Sequence, residues 1–207
     1  MERILDLVLS IPGLLLALTF HEFAHGYAAY LMGDNTAKYN GRLSLNPIDH
    51  MDIAGTLCLL FFHFGWAKPV PVNQNGFKDR KKGIIIVSLA GPFANFLLAL
   101  VCALIWKLIV PYSAESQISE FFSMVLLYAT YMNVGLKVFN LIPVPPLDGS
   151  KVLMEFLPPR LRYQMYNIER YSGIILLIII WTGILDPVLA TLRYWVLSFI
   201  DLILFFI

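Results

Sequence analysis

Long apolar stretches separated by short polar ones dominate the pattern of this chain. Residues 4–32, 83–110 and 118–142 are apolar for long enough to cross a bilayer as helices, because about 20 apolar residues span the roughly 30 Å of hydrocarbon. Residues 172–185 and 187–207 predict two further membrane segments. The pattern therefore predicts an all-α polytopic membrane protein with about five spanning helices.

One apolar stretch, residues 51–65, is too short for a spanning helix, which needs about 18 residues. The residues that follow it, 65–73, contain two prolines and favour an extended backbone. We expect residues 51–65 to form a re-entrant segment, which enters the membrane and returns on the same side because surrounding protein buries it.

Residues 37–50 read as a connecting segment that carries a turn signal at Asn40-Gly41. Apolar and polar residues alternate after it, which predicts a short membrane-associated β-hairpin or edge strand. Arg42, Ser44 and Leu45 would then bind an extended substrate as one more strand. A plain surface loop explains the same residues equally well.

Composition and charge agree with a membrane location. Of the 207 residues, 58% are hydrophobic and only 14% are charged, whereas a soluble domain carries about 25% charged residues. The net charge of +1 gives no electrostatic reason to expect a nucleic-acid partner. We expect a single domain over residues 1–207 that lies in the lipid bilayer of the cell membrane.

Basic residues concentrate in three connecting segments, 34–50, 78–82 and 160–170, whereas 111–120 carries acidic residues and no lysine or arginine. The excess of basic residues in cytoplasmic loops places the first three segments in the cytoplasm and the last outside. The N-terminus is then external. Because segments 34–50 and 78–82 lie on the same side of the membrane, residues 51–65 between them must enter and return on that side. The first apolar segment is longer than a signal-peptide core and is expected to be retained.

The first apolar stretch contains His21-Glu22-Phe23-Ala24-His25. Residues four apart share one face of a helix, so His21 and His25 can bind one metal ion, and Glu22 is placed to act as a general base. A packed histidine pair is the alternative, but ionisable groups are expensive in lipid unless they share a partner. The motif lies roughly 10–16 Å from the cytoplasmic end of the helix.

A catalytic zinc needs a third protein ligand and one open position. Asp148 follows a proline-rich break after the third long span and is the best candidate. The alternative role for Asp148 is the N-cap of a helix over 149–157, and the alternative third ligands are His50 and His63. The favoured site is one Zn²⁺ per chain, bound by His21, His25 and Asp148.

Polar residues inside the spans must find partners. Asn95 either supports a reaction oxyanion or substrate, or packs between helices. Asn133, Lys137 and Asn140 fall on one stripe of the following span. We expect this stripe to face the interior of the protein.

Three sequences occur in order: HEFAH, GPFAN and NLIPVPPLDG. Together they resemble the site-2 protease family, the intramembrane zinc metalloproteases of peptidase family M50. The sequences GRLSLNP and GWAKPVPVN are similar to those of compact bacterial members, and the resemblance covers about residues 18–152. It implies a catalytic core at about 4–157, followed by a helical hairpin at about 171–207.

The resemblance also implies a function and roles for residues. Members cleave membrane proteins that have a transmembrane helix, often as the second cut in regulated intramembrane proteolysis. His21, His25 and Asp148 match the zinc ligands, and Glu22 matches the catalytic glutamate. Asn95 and Asn140 match polar positions that contact substrate or the site. The length leaves no room for PDZ or CBS domains, so gating would come from helices, loops or a regulatory membrane partner.

Two other classes of function fit less well. A di-iron membrane oxygenase needs many histidines, and this chain has four. A non-catalytic transporter or scaffold that binds metal or a membrane helix would not need Glu22. The sequence therefore favours a hydrolase whose active site lies toward the cytoplasmic half of the membrane.

Overall fold

The computed structural model describes residues 2–55, 58 and 65–205. Most of the predicted re-entrant segment, and the alternative ligand His63, lie outside these residues. Short 3₁₀ turns occur at Gln74–Gly76 and Val110–Glu115. The helices, in chain order, are α1 (Glu2–Met32), α2 (Thr36–Tyr39), α3 (Pro47–His50), α4 (Arg80–Ile109), α5 (Gln117–Asn140), α6 (Asp148–Met154), α7 (Pro159–Glu169), α8 (Ser172–Thr182) and α9 (Asp186–Leu204).

Among the described residues, four helices are long and apolar enough to cross a membrane: α1, α4, α5 and α9. This confirms the helical, multi-pass class, but the number differs from the predicted five. Residues 172–185 form only the 11-residue α8, which at roughly 16 Å is too short to span the hydrocarbon. Gly183 ends α8 because it adopts a left-handed φ of 67°.

The predicted β-hairpin is wrong, since residues 42–45 belong to no strand in the part of the chain that is described. Gly41, at φ 65°, ends α2 instead of turning a hairpin. Its N–H donates to the Lys38 carbonyl (3.1 Å), and the Arg42 N–H donates to the Ala37 carbonyl (2.8 Å). These bonds form a Schellman helix end, so the residues that would have paired with 42–45 are helical.

Helices α1, α4 and α5 pack against one another and form the centre of the fold. A Cβ on Gly13 would lie 2.5 Å from Ala129 Cα, so glycine allows α1 to cross α5 closely. Leu176 of α8 and Leu189 and Ile200 of α9 are buried against this centre. The C-terminal helices therefore cover α4 and α5, and the predicted division at 157–171 stays a prediction.

Residues 66–73, here called the strap, run without helix along the C-terminal half of α1. The Val70 N–H donates to Glu22 Oε2 (2.8 Å), and the Asn73 N–H donates to Asp34 Oδ2 (2.6 Å). Asp34 follows the end of α1. The strap is thus tied to α1 through two carboxylates, one inside the helix and one just beyond it.

The two ends of the predicted re-entrant segment lie side by side. Met51 and Ala67 form an isolated antiparallel bridge, and the Lys68 N–H donates to the His50 carbonyl (2.9 Å). A segment that enters and leaves on one side of a membrane requires such closure. Its path through the membrane stays a prediction.

Candidate metal centre

Three ligand atoms meet where α6 approaches α1. His21 Nε2 and His25 Nε2 lie 3.0 Å apart, and Asp148 Oδ2 lies 3.2 Å from the first and 3.0 Å from the second. All three side chains are buried. Within the described residues, these three form the group of side chains close enough to hold one metal ion, and His50 is not part of it.

Asp148 is brought to the histidines by the start of α6. Leu147 occupies the cap position of this helix and makes no side-chain cap bond, so the Asp148 carboxylate does not serve as the N-cap. A Cβ on Gly149 would lie 2.2 Å from the Leu141 carbonyl oxygen. Glycine therefore lets α6 begin directly against the end of α5, beside the histidine pair.

The second nitrogen of each imidazole has a partner on α4. His21 Nδ1 lies 2.7 Å from Asn95 Oδ1, and His25 Nδ1 lies 2.7 Å from the Val87 carbonyl oxygen. Both oxygens accept hydrogen bonds, so both Nδ1 atoms carry the proton and donate. In the neutral imidazole, the form that binds a metal ion, each Nε2 atom then carries a lone pair that faces Asp148.

These residues fit a zinc ion. Three atoms that carry lone pairs repel one another at this separation unless a cation lies between them. Tetrahedral zinc with bonds of about 2.0–2.1 Å spaces its ligand atoms roughly 3.3–3.4 Å apart, and the observed separations are 3.0–3.2 Å. Three protein ligands leave the fourth position open, as a catalytic zinc requires.

Gly91 allows α4 to approach the histidine pair. A Cβ at this position would lie 2.5 Å from His25 Nε2 and 2.6 Å from His21 Cε1. Pro92 follows and has no N–H, so α4 lacks one of its own hydrogen bonds at this level. Beside the candidate metal centre, α4 thus lacks a side chain at Gly91 and a backbone N–H at Pro92.

The second oxygen of Asp148 also has a partner, since Lys151 Nζ donates to Oδ1 (3.0 Å). Burial alone would raise the pKa of the Asp148 carboxyl, whereas the positive charge of Lys151 lowers that pKa. Lys151 thus favours the anionic carboxylate, which is the form that binds a metal ion.

A cavity of about 580 Å³ opens onto the three ligands, and Glu22 lines it beside them. One oxygen of the Glu22 carboxylate is held by the Val70 N–H of the strap. The site thus combines a general-base candidate with a candidate metal position in a pocket whose lining is partly apolar and partly polar. The apolar lining includes Trp66, Pro69, Val72, Phe77 and Ile84.

The two asparagines predicted to contact substrate lie in different places. Asn140 lines the cavity, and its amide donates to the Leu136 carbonyl (3.0 Å). Asn95 is fully buried behind His21, and its Nδ2 donates to the Ala17 carbonyl (2.9 Å). Asn140 therefore lies at the cavity, whereas the Asn95 oxygen is already engaged by His21, and the substrate contact predicted for both residues stays a prediction.

The residues predicted to form a clamp lie outside the cavity lining. Arg42 Nη2 donates to the Lys68 carbonyl of the strap (2.9 Å). The Ser44 carbonyl accepts from His50 Nε2 (2.7 Å), and Leu45 is exposed. Arg42 thus contacts the strap directly, and the predicted substrate contact of the three residues stays a prediction.

Four groups that contribute to the candidate metal centre were not predicted from the sequence: the Val87 carbonyl, the Val70 N–H, Gly91 and Lys151. The first two are backbone groups, which leave no mark in a side-chain pattern. Gly91 stood in a recognised motif, but its role depends on which helix faces it. Lys151 follows Asp148 by three residues, and this spacing on a helix could have indicated the pair.

The fold and the site together define a multi-pass membrane protein with a buried metal centre of the zinc-hydrolase type. The family model for peptidase family M50 matches residues 10–181. The chain belongs to this family, which supports a zinc metalloprotease.

Two relatives agree with this assignment. The chain is 40% identical over 175 residues to the "Putative zinc metalloprotease YwhC" of Bacillus subtilis, with 82% of this chain and 78% of the relative covered. It is 30% identical over 198 residues to the "Putative zinc metalloprotease Rip2" of Mycolicibacterium smegmatis, with 93% and 74% covered. No solved structure matches the chain.

Proposed function

We propose that this protein is an intramembrane zinc metalloprotease that hydrolyses peptide bonds within or near the transmembrane segments of membrane proteins. The observation that carries the proposal is the position of His21, His25 and Asp148. They meet beside Glu22 at a cavity bounded by α1 and α4, and both helices are long enough to span a membrane. The apolar part of the cavity lining suits a peptide that comes from a membrane helix.

Zinc held by the three ligands would supply Lewis-acid polarisation of the scissile carbonyl and would make a water molecule more acidic. Glu22 accepts the proton that this water loses as its oxygen bonds to the carbonyl carbon. Glu22 then returns that proton to the amide nitrogen as the C–N bond breaks. The Val70 N–H holds one carboxylate oxygen in place through both transfers.

The basic segment 78–82 lies at the start of α4 and supports an orientation with this end in the cytoplasm. Gly91 contacts the histidines 11 residues further along α4, which places the centre roughly 16 Å from that end. The proposed location is therefore the cytoplasmic half of the cell membrane. Labelling tests it, because a cysteine at Tyr112 should react in intact cells and one at Lys81 only after permeabilisation.

The proposed substrates are membrane proteins with a transmembrane helix, cut as part of regulated intramembrane proteolysis. A regulatory membrane partner would control access to the cavity. Family membership and the apolar cavity lining support this class of substrate.

The central experiment compares wild type and Glu22→Gln, both reconstituted in vesicles with a single-span substrate. We expect both proteins to bind one zinc per chain, and cleavage by Glu22→Gln to fall by about 10²–10⁴-fold. Glu120→Gln, on the exposed first turn of α5, is the control with the same chemical change and should cleave normally. Undiminished cleavage by Glu22→Gln would assign the base to another residue. Zinc binding without cleavage of any of several substrates by wild type would indicate a binding protein.

A further inference from the structure

A chain of hydrogen bonds runs from the metal centre through α4 to α5. His21 Nδ1 lies 2.7 Å from Asn95 Oδ1, and Asn95 Nδ2 lies 2.9 Å from Asn133 Oδ1. Asn133 Nδ2 lies 2.8 Å from the Ala129 carbonyl oxygen of its own helix. Both asparagines have 0% exposed surface. The chain therefore cannot exchange its bonds with bulk solvent.

Two backbone carbonyls set the direction of every bond in this chain, because a carbonyl can only accept. The Ala129 carbonyl requires the NH₂ group of Asn133 on its side, so Asn133 Oδ1 faces Asn95. Asn95 must then present its NH₂ group, which also reaches the Ala17 carbonyl at 2.9 Å. Its oxygen is left for His21, and this places the His21 proton on Nδ1.

We propose that Asn133 is a positioning residue of the metal centre and acts through Asn95 on the tautomer of His21. A reversed Asn95 amide would present its NH₂ group to His21 Nδ1, which would then have to accept. The ring proton would move to Nε2 and block the atom that faces the metal. Asn133 and the Ala17 carbonyl each accept one of the two Asn95 N–H bonds, and together they exclude this reversal.

Thr130 shows what a buried polar residue with only a packing role looks like on the same helix. Its side chain is 5% exposed, and its Oγ1 donates to the Leu126 carbonyl (2.9 Å), a bond inside α5. Asn133 makes the equivalent bond to Ala129 and also reaches across to α4. Helix packing alone does not require the bond from Asn133 to Asn95. Thr130 is therefore a suitable control position for substitutions at Asn133, because it differs in lacking this bond.

The test measures zinc affinity by chelator competition, and the visible spectrum of the Co²⁺-substituted protein, in the purified full-length chain. Direct partners of a metal ligand affect affinity by about 10–100-fold. Asn133 is one bond further away, so we expect Asn133→Leu to weaken zinc binding about tenfold and to change the Co²⁺ bands. Thr130→Val should leave both unchanged. Asn133→Ser, which keeps a helix-internal bond to Ala129, should act in the same direction if the leucine variant does not fold.

A double-mutant cycle separates action through Asn95 from a general effect on packing. The double variant Asn95→Leu/Asn133→Leu should bind zinc as weakly as Asn95→Leu alone, because Asn133 acts on His21 only through the Asn95 amide, which is already absent. Additive losses would overturn the proposal. Wild-type zinc affinity and Co²⁺ spectrum in Asn133→Leu would also overturn it, even with a lowered melting temperature. These readouts depend on the metal centre alone, so their failure is distinguishable from a failure of the proposed proteolysis.

Discussion

Alanine at position 91 is expected to damage the metal centre, although alanine is the better helix former. In a helix interior, a glycine-to-alanine change stabilises by roughly 0.5–1 kcal/mol. Here the new Cβ would lie 2.5 Å from His25 Nε2, about 0.9 Å inside ordinary contact distance. Neither imidazole can retreat easily, because Asn95 and the Val87 carbonyl hold their Nδ1 atoms.

The size of the effect follows from these opposing contributions. A contact as short as 2.5 Å belongs to the upper part of the cost of overpacking, about 2–3 kcal/mol, which leaves roughly 1–2 kcal/mol of strain after a gain in helix propensity of about 1 kcal/mol. The strain falls on two metal ligands, and about 1.4 kcal/mol corresponds to a tenfold change in a binding constant. We therefore expect Gly91→Ala to weaken zinc binding roughly 5- to 30-fold.

The assay is chelator competition for zinc, with thermal unfolding of the metal-free protein measured in parallel. Gly135→Ala is the matched control, because Gly135 also lies in a spanning helix and a Cβ there meets no atom within 4 Å. It should keep wild-type zinc affinity and unfold at or slightly above the wild-type temperature. Wild-type zinc affinity in Gly91→Ala would refute the reasoning, since the clash is then relieved without moving the ligands.

Two further predictions concern the strap. Val70→Pro removes the N–H that holds Glu22, and it should lower cleavage about tenfold with zinc retained, because a hydrogen bond to a charged group contributes about 1.5–3 kcal/mol. Val70→Ala keeps the N–H and is the control. Equal cleavage activity of the two variants would contradict the prediction. At Asp34, burial would raise the pKa, but hydrogen bonds from Thr36 and Asn73 lower it below its usual value. Its stabilising effect is therefore complete above the unfolded-state pKa and lost as pH falls through the lower folded-state pKa. The melting-temperature advantage of wild type over Asp34→Asn should shrink from about pH 6 to about pH 3, and a constant advantage would contradict this role.

The group formed by His21, His25 and Asp148 could be predicted from sequence because each residue depends on local geometry or strong chemical constraint. The spacing of His21 and His25 fixes their common face in any helix. Asp148 is a carboxylate at a rigid turn next to spans that otherwise hold few charges. Glu22 follows from its place between the histidines. None of these inferences requires knowledge of which helices pack together.

The features that could not be predicted depend on tertiary packing or on small backbone differences. Asn40-Gly41 suits a hairpin turn and a Schellman helix end equally well, and the choice depends on the four residues before it being helical. The length of α8 depends on where Gly183 turns left-handed. Asn95 and Asn133 were visible as polar residues in lipid, but their order behind His21 requires three helices in register.

The strap explains how extended backbone can lie beside a spanning helix. Unpaired N–H and carbonyl groups are costly in a membrane interior, so irregular backbone persists there only where protein satisfies it. Pro69 and Pro71 have no N–H to satisfy. Three of the four other N–H groups between 68 and 73 donate to His50, Glu22 and Asp34.

This arrangement couples the strap to the chemistry of the site. Glu22 is both the proposed base and the acceptor for Val70, and Val70 is the sole N–H donor between the two prolines. A shift of the strap along α1 by one residue would bring a proline opposite Glu22 and leave the carboxylate without this partner. The base is therefore held only when the strap is in this register, so the strap that forms one wall of the cavity also fixes the position of the base.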